Sequence, residues 1–346
     1  MGKASLYNPY LDTLGGGEKY TLSFAKVLAE DLGFDVDIEW KDKNIKEKLT
    51  KRFGIKLPKN VNFVKDINRG EGYDVCFWVS DGSVPTLRAK NNYLHFQVPF
   101  TNVNGNSLLN KMKLFRIKKI ICNSKFTKNV IDKEYTVNSL VLYPPVDTKL
   151  FKPKRKENIV LYVGRFSNLV QNKGHKILIT EFKKLVKDKS YHNWKLILAG
   201  GTEVGVGEYV NKLKKICSGY NIDIVESPSF KKIVDIYGKS KFFWSAAGFG
   251  IDEEKNPEKV EHFGITLVES MAAGCVPIVF NSGGFKEIIV NGINGFLWEY
   301  KSDLVKITKK VLSKPGIYKS ISKSATESAK EFSHEIFKKK MLELMT

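Results

Sequence analysis

Apolar residues along the chain fall into short β-branched and aromatic runs that alternate with longer stretches at helical spacing, from one end to the other. Strands buried on both faces and separated by helices build parallel sheets. In the first half this pattern predicts strands at Lys3–Tyr7, Val36–Trp40, Val75–Val79, Tyr93–Val98, Lys119–Asn123 and Ser139–Tyr143. After the first of them, Leu22, Ala25, Val27, Leu28 and Leu32 share one broad face of a helix running from Gly17 to Leu32.

The alternation stops at Tyr143-Pro144-Pro145-Val146-Asp147 and Lys152-Pro153-Lys154-Arg155-Lys156, where prolines and a charge run read as a linker. Beyond it the pattern restarts. Strands are expected at Asn158–Val163, Lys195–Ala199, Ile222–Val225, Lys241–Ser245, Val276–Phe280 and Gly295–Trp298. Helices are expected at Lys176–Asp188, Glu208–Ser218, Lys231–Lys239, Thr266–Ala273 and Lys301–Leu312. The expected fold class is α/β, with two Rossmann-like domains, residues 1–150 and 151–330, facing each other across a cleft. Ligands of such sheets sit at the carboxyl ends of the strands, so the cleft is the expected site. In the tail, residues 331–346, Phe332, Ile336, Phe337, Met341, Leu342 and Leu344 surround Lys338, Lys339 and Lys340. That spacing predicts an amphipathic terminal helix docking on the body.

Composition narrows the partners. With 42% hydrophobic and 27% charged residues, the 346-residue chain is globular and is neither disordered nor fibrous. Lys and Arg number 57 against 37 Asp and Glu, a formal charge of +20 that favours anionic partners. Only Arg52, Arg69, Arg88, Arg116, Arg155 and Arg165 carry the forked guanidinium that reads bases, which disfavours a sequence-reading nucleic-acid binder. Cys76, Cys122, Cys217 and Cys275 form no CxxC pair, so neither a zinc site nor a disulfide framework is expected. Without a signal-like start or a membrane-length apolar run, the expected location is cytoplasmic, with contact to the inner face of a membrane left open. The acid-free stretch Asn110–Lys119 bears on that contact. Leu108, Leu109, Met112 and Phe115 would lie along one helical face, fit for an anionic lipid surface or for a core helix with solvated lysines.

The most informative segment runs from Val260 to Gly274, where Glu261 and Glu269 flank a Phe263-Gly264 turn and a short helix. A helix N-terminus presents unpaired N–H groups and partial positive charge, so the amides of Ile265–Val268 suit a phosphate. Thr266-x-x-Glu269 is equally a capping box, needed only for local stability. In the first half, Leu14-Gly15-Gly16-Gly17-Glu18 lets a strand-to-helix turn approach an anion. The GxGxxG spacing of a dinucleotide cofactor site is absent.

The Glu261-x7-Glu269 pattern, Met271-Ala272-Ala273-Gly274, Ser282-Gly283-Gly284-x-x-Glu287 and Asn291-Gly292-x-Asn294-Gly295-Phe296 closely resemble glycosyltransferase family 4. The resemblance implies the GT-B architecture, a nucleotide-sugar donor bound chiefly by the second domain, and retaining transfer. It implies that Glu261 contacts the donor sugar near its reacting centre. The backbone of Phe263, Gly264, Ile265, Thr266 and Leu267 would hold sugar hydroxyls and diphosphate, and Glu269 the ribose hydroxyls. Arg165 and Lys173 match by position the Arg and Lys that neutralise the departing diphosphate in place of a metal. Here their spacing is longer than the family pattern, filled by Ser167-Asn168-Leu169-Val170-Gln171. Gly16 and Gly17 are placed over donor phosphates and acceptor. His95 resembles the strand-end histidine that relatives aim into the cleft to orient the sugar's primary hydroxyl or the transition state. A lone histidine on an apolar strand otherwise reads as core.

The expected function is a metal-independent, cofactor-free hexosyl transfer from a nucleotide diphosphate sugar to a hydroxyl acceptor, lipid-linked or on a growing surface glycan. Base contacts are expected from the backbone of Ser227-Pro228-Ser229-Phe230. A sugar-nucleotide epimerase shares the architecture, and a polyanion-binding protein would share the charge. The charged segment Ala247–Lys259 is longer than in many relatives and reads equally as a lid, an acceptor contact or a solvated excursion.

Overall fold

The computed structural model describes residues 2–13, 15–42, 44–167, 171–202 and 207–345. Leu14 of the glycine-rich turn and the 168–170 part of the Arg165–Lys173 spacer lie outside the described residues. The chain divides into two compact units, Met1–Pro145 with Glu335–Thr346, and Val146–His334.

The first unit runs β1 (Lys3–Tyr7), α1 (Gly16–Glu30), β2 (Asp35–Glu39), α2 (Ile45–Phe53), β3 (Val61–Val64), β4 (Val75–Val79), β5 (Asn91–Phe96), α3 (Leu108–Leu114), β6 (Lys119–Cys122), α4 (Lys125–Tyr135) and β7 (Leu140–Val141). Its sheet has the order β3-β2-β1-β4-β5-β6-β7, with every pair parallel. Hydrophobic burial holds it: Ala4 and Leu6 of β1, Val36 and Ile38 of β2, and Phe77 of β4 are solvent-free beneath Leu22, Phe24, Ala25 and Leu28 of α1. Burying each such large side chain contributes about 1.5–3 kcal/mol.

The second unit runs β8 (Glu157–Val163), α5 (His175–Val186), β9 (Lys195–Gly200), α6 (Gly207–Cys217), β10 (Ile222–Glu226), α7 (Phe230–Lys239), β11 (Ser240–Ser245), α8 (Ile265–Ala272), β12 (Val276–Phe280), α9 (Phe285–Ile288), β13 (Phe296–Trp298), α10 (Lys301–Leu312) and α11 (Pro315–Ala329). Its parallel sheet has the order β10-β9-β8-β11-β12-β13. The chain thus winds outward from β8 to β10, then crosses to the other side of β8 and winds outward again. The connections that leave β8 and β11 at their carboxyl ends diverge, which opens a ligand crevice at that switch point.

The terminal helix, α12 (His334–Met345), packs on the first unit. Phe337, Met341 and Leu344, spaced to share one face, join the core of β1, β2 and α1, and Phe337 meets Tyr20 edge-on at 5.4 Å. Lys338 leaves that face and pairs with Asp31.

Candidate functional site

The switch point of the second unit gathers most of the residues singled out from sequence. Arg165 follows β8 by two positions and is exposed, and Lys173 ends the same connection just before α5. Glu261 ends the connection from β11 to α8. The two connections meet in an ion pair, Lys173 Nζ to Glu261 Oε2 at 3.0 Å, with the side chains only 12% and 24% exposed.

Gln171 fastens that pair. Its Oε1 accepts from Lys173 Nζ at 2.6 Å, and its Nε2 donates to the carbonyls of Glu258 and Val260 at 3.1 and 2.7 Å. The longer spacer therefore supplies the amide that ties Lys173 to the segment carrying Glu261. Burial raises the Glu261 carboxyl, but the Lys173 ammonium, with smaller help from His262 and Arg165, outweighs it and holds the group below the usual glutamate range. The site keeps a carboxylate and two cations together.

Beside the pair lies the N-terminus of α8. Gly264 is its N-cap in the left-handed region (φ 109°), where a Cβ would also come within 2.7 Å of the Phe285 ring. Its carbonyl already accepts from the amides of Leu267 and Val268, at 3.0 and 3.2 Å. This corrects the placement of Leu267 as a phosphate ligand: its amide is spent inside the helix and its side chain is fully buried. Ile265 and Thr266 are the helix's first two residues, the positions whose amides precede the intrahelical ladder. Thr266 stands two positions past the cap, and no side chain caps the helix, so the capping-box reading of Thr266 and Glu269 is not realised. Phe263 is buried against Phe332, which leaves only its backbone for a ligand.

Glu269 lies further along α8, partly exposed. Beneath it the buried Tyr237 hydroxyl donates to the Thr266 carbonyl at 3.2 Å. Burial first, and then the Glu269 carboxylate, push that phenol well above its ordinary value. Tyr237 and Gln171 were not singled out from sequence. Each acts through a contact distant in the chain, and only the position of Gln171 in an unusually long spacer marked it. The 247–259 segment is likewise anchored. Glu253 accepts the Gly283 amide at 2.7 Å and pairs with Lys286, while the Glu258 carbonyl takes its bond from Gln171.

Gly16, Gly17 and His95 belong to the first unit. Gly17 has a structural reason to be glycine, because a Cβ there would lie 1.9 Å from the Gln97 amide oxygen. His95 departs from the expected placement. It is solvent-free, stacked on Tyr20 at 4.3 Å and Phe77 at 5.3 Å, with Nδ1 3.1 Å from the Ile121 carbonyl. An imidazole enclosed by rings on an apolar strand is core, the reading that its sequence surroundings had equally allowed.

Burial pushes the His95 pKa down to about 3, and burial with the Lys173 charge does the same to His175 of the second unit. Both rings are neutral in the folded chain and take a proton more readily once unfolded. Their stabilisation is whole above the ordinary histidine value of 6.5 and is lost as pH falls from there toward 3. Each unit is expected to be roughly 2 kcal/mol less stable at pH 5 than at pH 8, measured by urea unfolding.

Residues 147–328, more than half of the chain, match the family described as Glycosyl transferases group 1. A GDP-Man:Man(3)GlcNAc(2)-PP-Dol alpha-1,2-mannosyltransferase of Mus musculus is 31% identical over 236 residues, covering 63% of this chain and 46% of that protein. An uncharacterized glycosyltransferase of Methanocaldococcus jannaschii is 29% identical, covering 63% of this chain and 56% of its own. The chain spans about half the length of these curated relatives. Among solved structures, a glycosyltransferase from Rickettsia africae superposes with a TM-score of 0.76 at 20% identity over 99% of this chain and 97% of its own. Anabaena HepE, crystallised with UDP and glucose, gives 0.77 at 16% identity over 100% and 99%. That likeness establishes the two-domain GT-B fold.

Proposed function

The chain belongs to the group 1 glycosyl transferases, and from that premise we propose that it is a retaining, metal-independent hexosyltransferase of glycosyltransferase family 4. It moves a sugar from a nucleoside diphosphate sugar to a hydroxyl of a lipid-linked acceptor on the cytoplasmic side of a membrane. The observation that carries this reading is the Lys173–Glu261 pair at the switch point, beside the first turn of α8.

The residues divide the work. Arg165, Lys173 and the first amides of α8 take up the charge that develops on the leaving diphosphate, where preorganised donors contribute most. Glu261 stabilises the positive charge growing on the sugar ring, and Glu269 holds the ribose hydroxyls. The mannosyltransferases among the relatives make GDP-mannose the first donor to test and a polyisoprenyl diphosphate glycan the first acceptor. No helix among the described residues is long and apolar enough to cross a membrane.

Thermal melting with GDP, UDP and ADP tests the donor site. One diphosphate is expected to raise the Tm by about 5 °C at a hundredfold excess over its Kd. The matching sugar nucleotide should then be consumed only with acceptor. No shift with any of the three would overturn the reading, and so would conversion of the sugar without an acceptor, which is epimerase behaviour.

A further inference from the structure

The helix α3 turns the wrong way for a core helix. Among its residues none is buried. Leu108, Leu109 and Met112 are 76%, 61% and 67% exposed, and Phe115, its C-cap, is 94% exposed. Because Phe115 keeps helical angles, these four residues share one face. The opposite side packs through Leu114 on the cluster of Leu94, Phe96 and Tyr135, which Ile117 after the helix and Ile120 of β6 also join. The sequence left two arrangements open, and the one with lysines in solvent and apolar side chains in the core is not the one adopted.

Charge identifies what such a face would meet. Lys111, Arg116, Lys118 and Lys119 are exposed around it and Lys113 is partly so, while 110–119 contains no acidic residue. No ion pair among the described residues engages any of these five. A protein partner for four clustered apolar side chains would gain nothing from five cations without a carboxylate partner, of which Arg116 donates from Nε to the Leu87 carbonyl, unless it were itself acidic. Anionic headgroups over acyl chains match both features at once.

We propose that this face of α3 docks on an anionic lipid surface, with Leu108, Leu109, Met112 and Phe115 at the acyl boundary and the surrounding lysines on the headgroups. The inference stands on the patch alone. It deepens the transferase reading by saying how an acceptor held in a bilayer would be approached.

Sedimentation of the full chain with lipid vesicles, without donor or acceptor, tests it separately from catalysis. Binding to phosphatidylglycerol-rich vesicles is expected, with at least about tenfold weaker binding to phosphatidylcholine alone. Leu109→Ser with Phe115→Ser should lower anionic-vesicle binding about tenfold or more. Lys111→Gln with Lys118→Gln should lower it about thirtyfold and flatten its salt dependence. All four side chains are on the surface, so an unchanged Tm is the control for folding. Equal binding by either variant, or no preference for anionic vesicles, would overturn the proposal. So would a lipid-free dimer, or oligonucleotide binding, abolished by the same apolar substitutions.

Discussion

Glu261→Ala is expected to lower kcat/KM for sugar transfer by about a thousandfold while the second unit still folds. The carboxylate stands at the switch point with Lys173 held against it at 3.0 Å and Gln171 behind. In the proposed reaction, deleting it removes the negative charge set against the developing cation on the sugar and leaves the Lys173 ammonium held by the Gln171 amide oxygen. Because both groups keep some exposure to water, the stability cost should be about 1–3 kcal/mol, below that of a fully buried pair. Glu261→Gln separates the two effects, since it keeps an oxygen for Lys173 but no charge. It should restore most of the lost Tm and almost none of the lost rate. A carboxyl held below its usual range lends stability that is present above the ordinary value near 4.5 and is lost as pH falls through the lower folded value. In Glu261→Ala that acid-side loss should shrink, as read by unfolding between pH 5 and 3. Undiminished turnover in Glu261→Ala would take this residue out of the chemistry.

The strands were legible because their residues leave little choice. Val75–Val79 and Val276–Phe280 appear in the structure with the bounds that the apolar runs predict, since a run with hardly a polar residue can only be a strand buried on both faces. Shorter or mixed segments were not. β3 is only Val61–Val64 and pairs with β2 alone, an edge strand whose Asn62 interrupts the apolar run. In α11, Ser, Lys and Thr outnumber the core positions, and its inner face is just Ile321, Ala325 and Ala329. Small residues bury well against α8, but they give a weak periodic signal. In the site, Arg165, Lys173, Glu261 and Glu269 were readable from spacing and resemblance. The ties that hold them were not: Gln171 reaches across to residues 258–260, and Tyr237 reaches up to Thr266. His95 failed for a related reason. Nothing local distinguishes a strand-end imidazole facing a ligand from one stacked on Tyr20, because the ring that covers it comes from α1.

Arg165→Ala and Lys173→Ala are each expected to cost about a hundredfold in kcat/KM, measured with a fixed donor, and to differ in their pH profiles. In the proposed reaction the two cations would take up the diphosphate charge from the two ends of one connection, so each would cover part of the charge the other loses. A double variant should therefore fall short of the product of the single effects. Lys173 is also ion-paired with Glu261, at 3.0 Å. Of the influences on that carboxyl, burial raises it, and the largest lowering one is the Lys173 charge. With Lys173 gone, burial faces only His262 and Arg165, and the Glu261 pKa moves up. The acid limb of the pH–rate profile should then shift to higher pH in Lys173→Ala, while Arg165→Ala, which removes the smallest of these influences, should leave that limb almost where it was. Lys173→Arg keeps the cation and should return the limb toward its original position even if the rate stays low, since a planar guanidinium does not fit between the Gln171 amide and the carboxylate as an ammonium does. Coincident profiles for Lys173→Ala and Arg165→Ala would mean that the ion pair does not set the charge state of Glu261 during turnover.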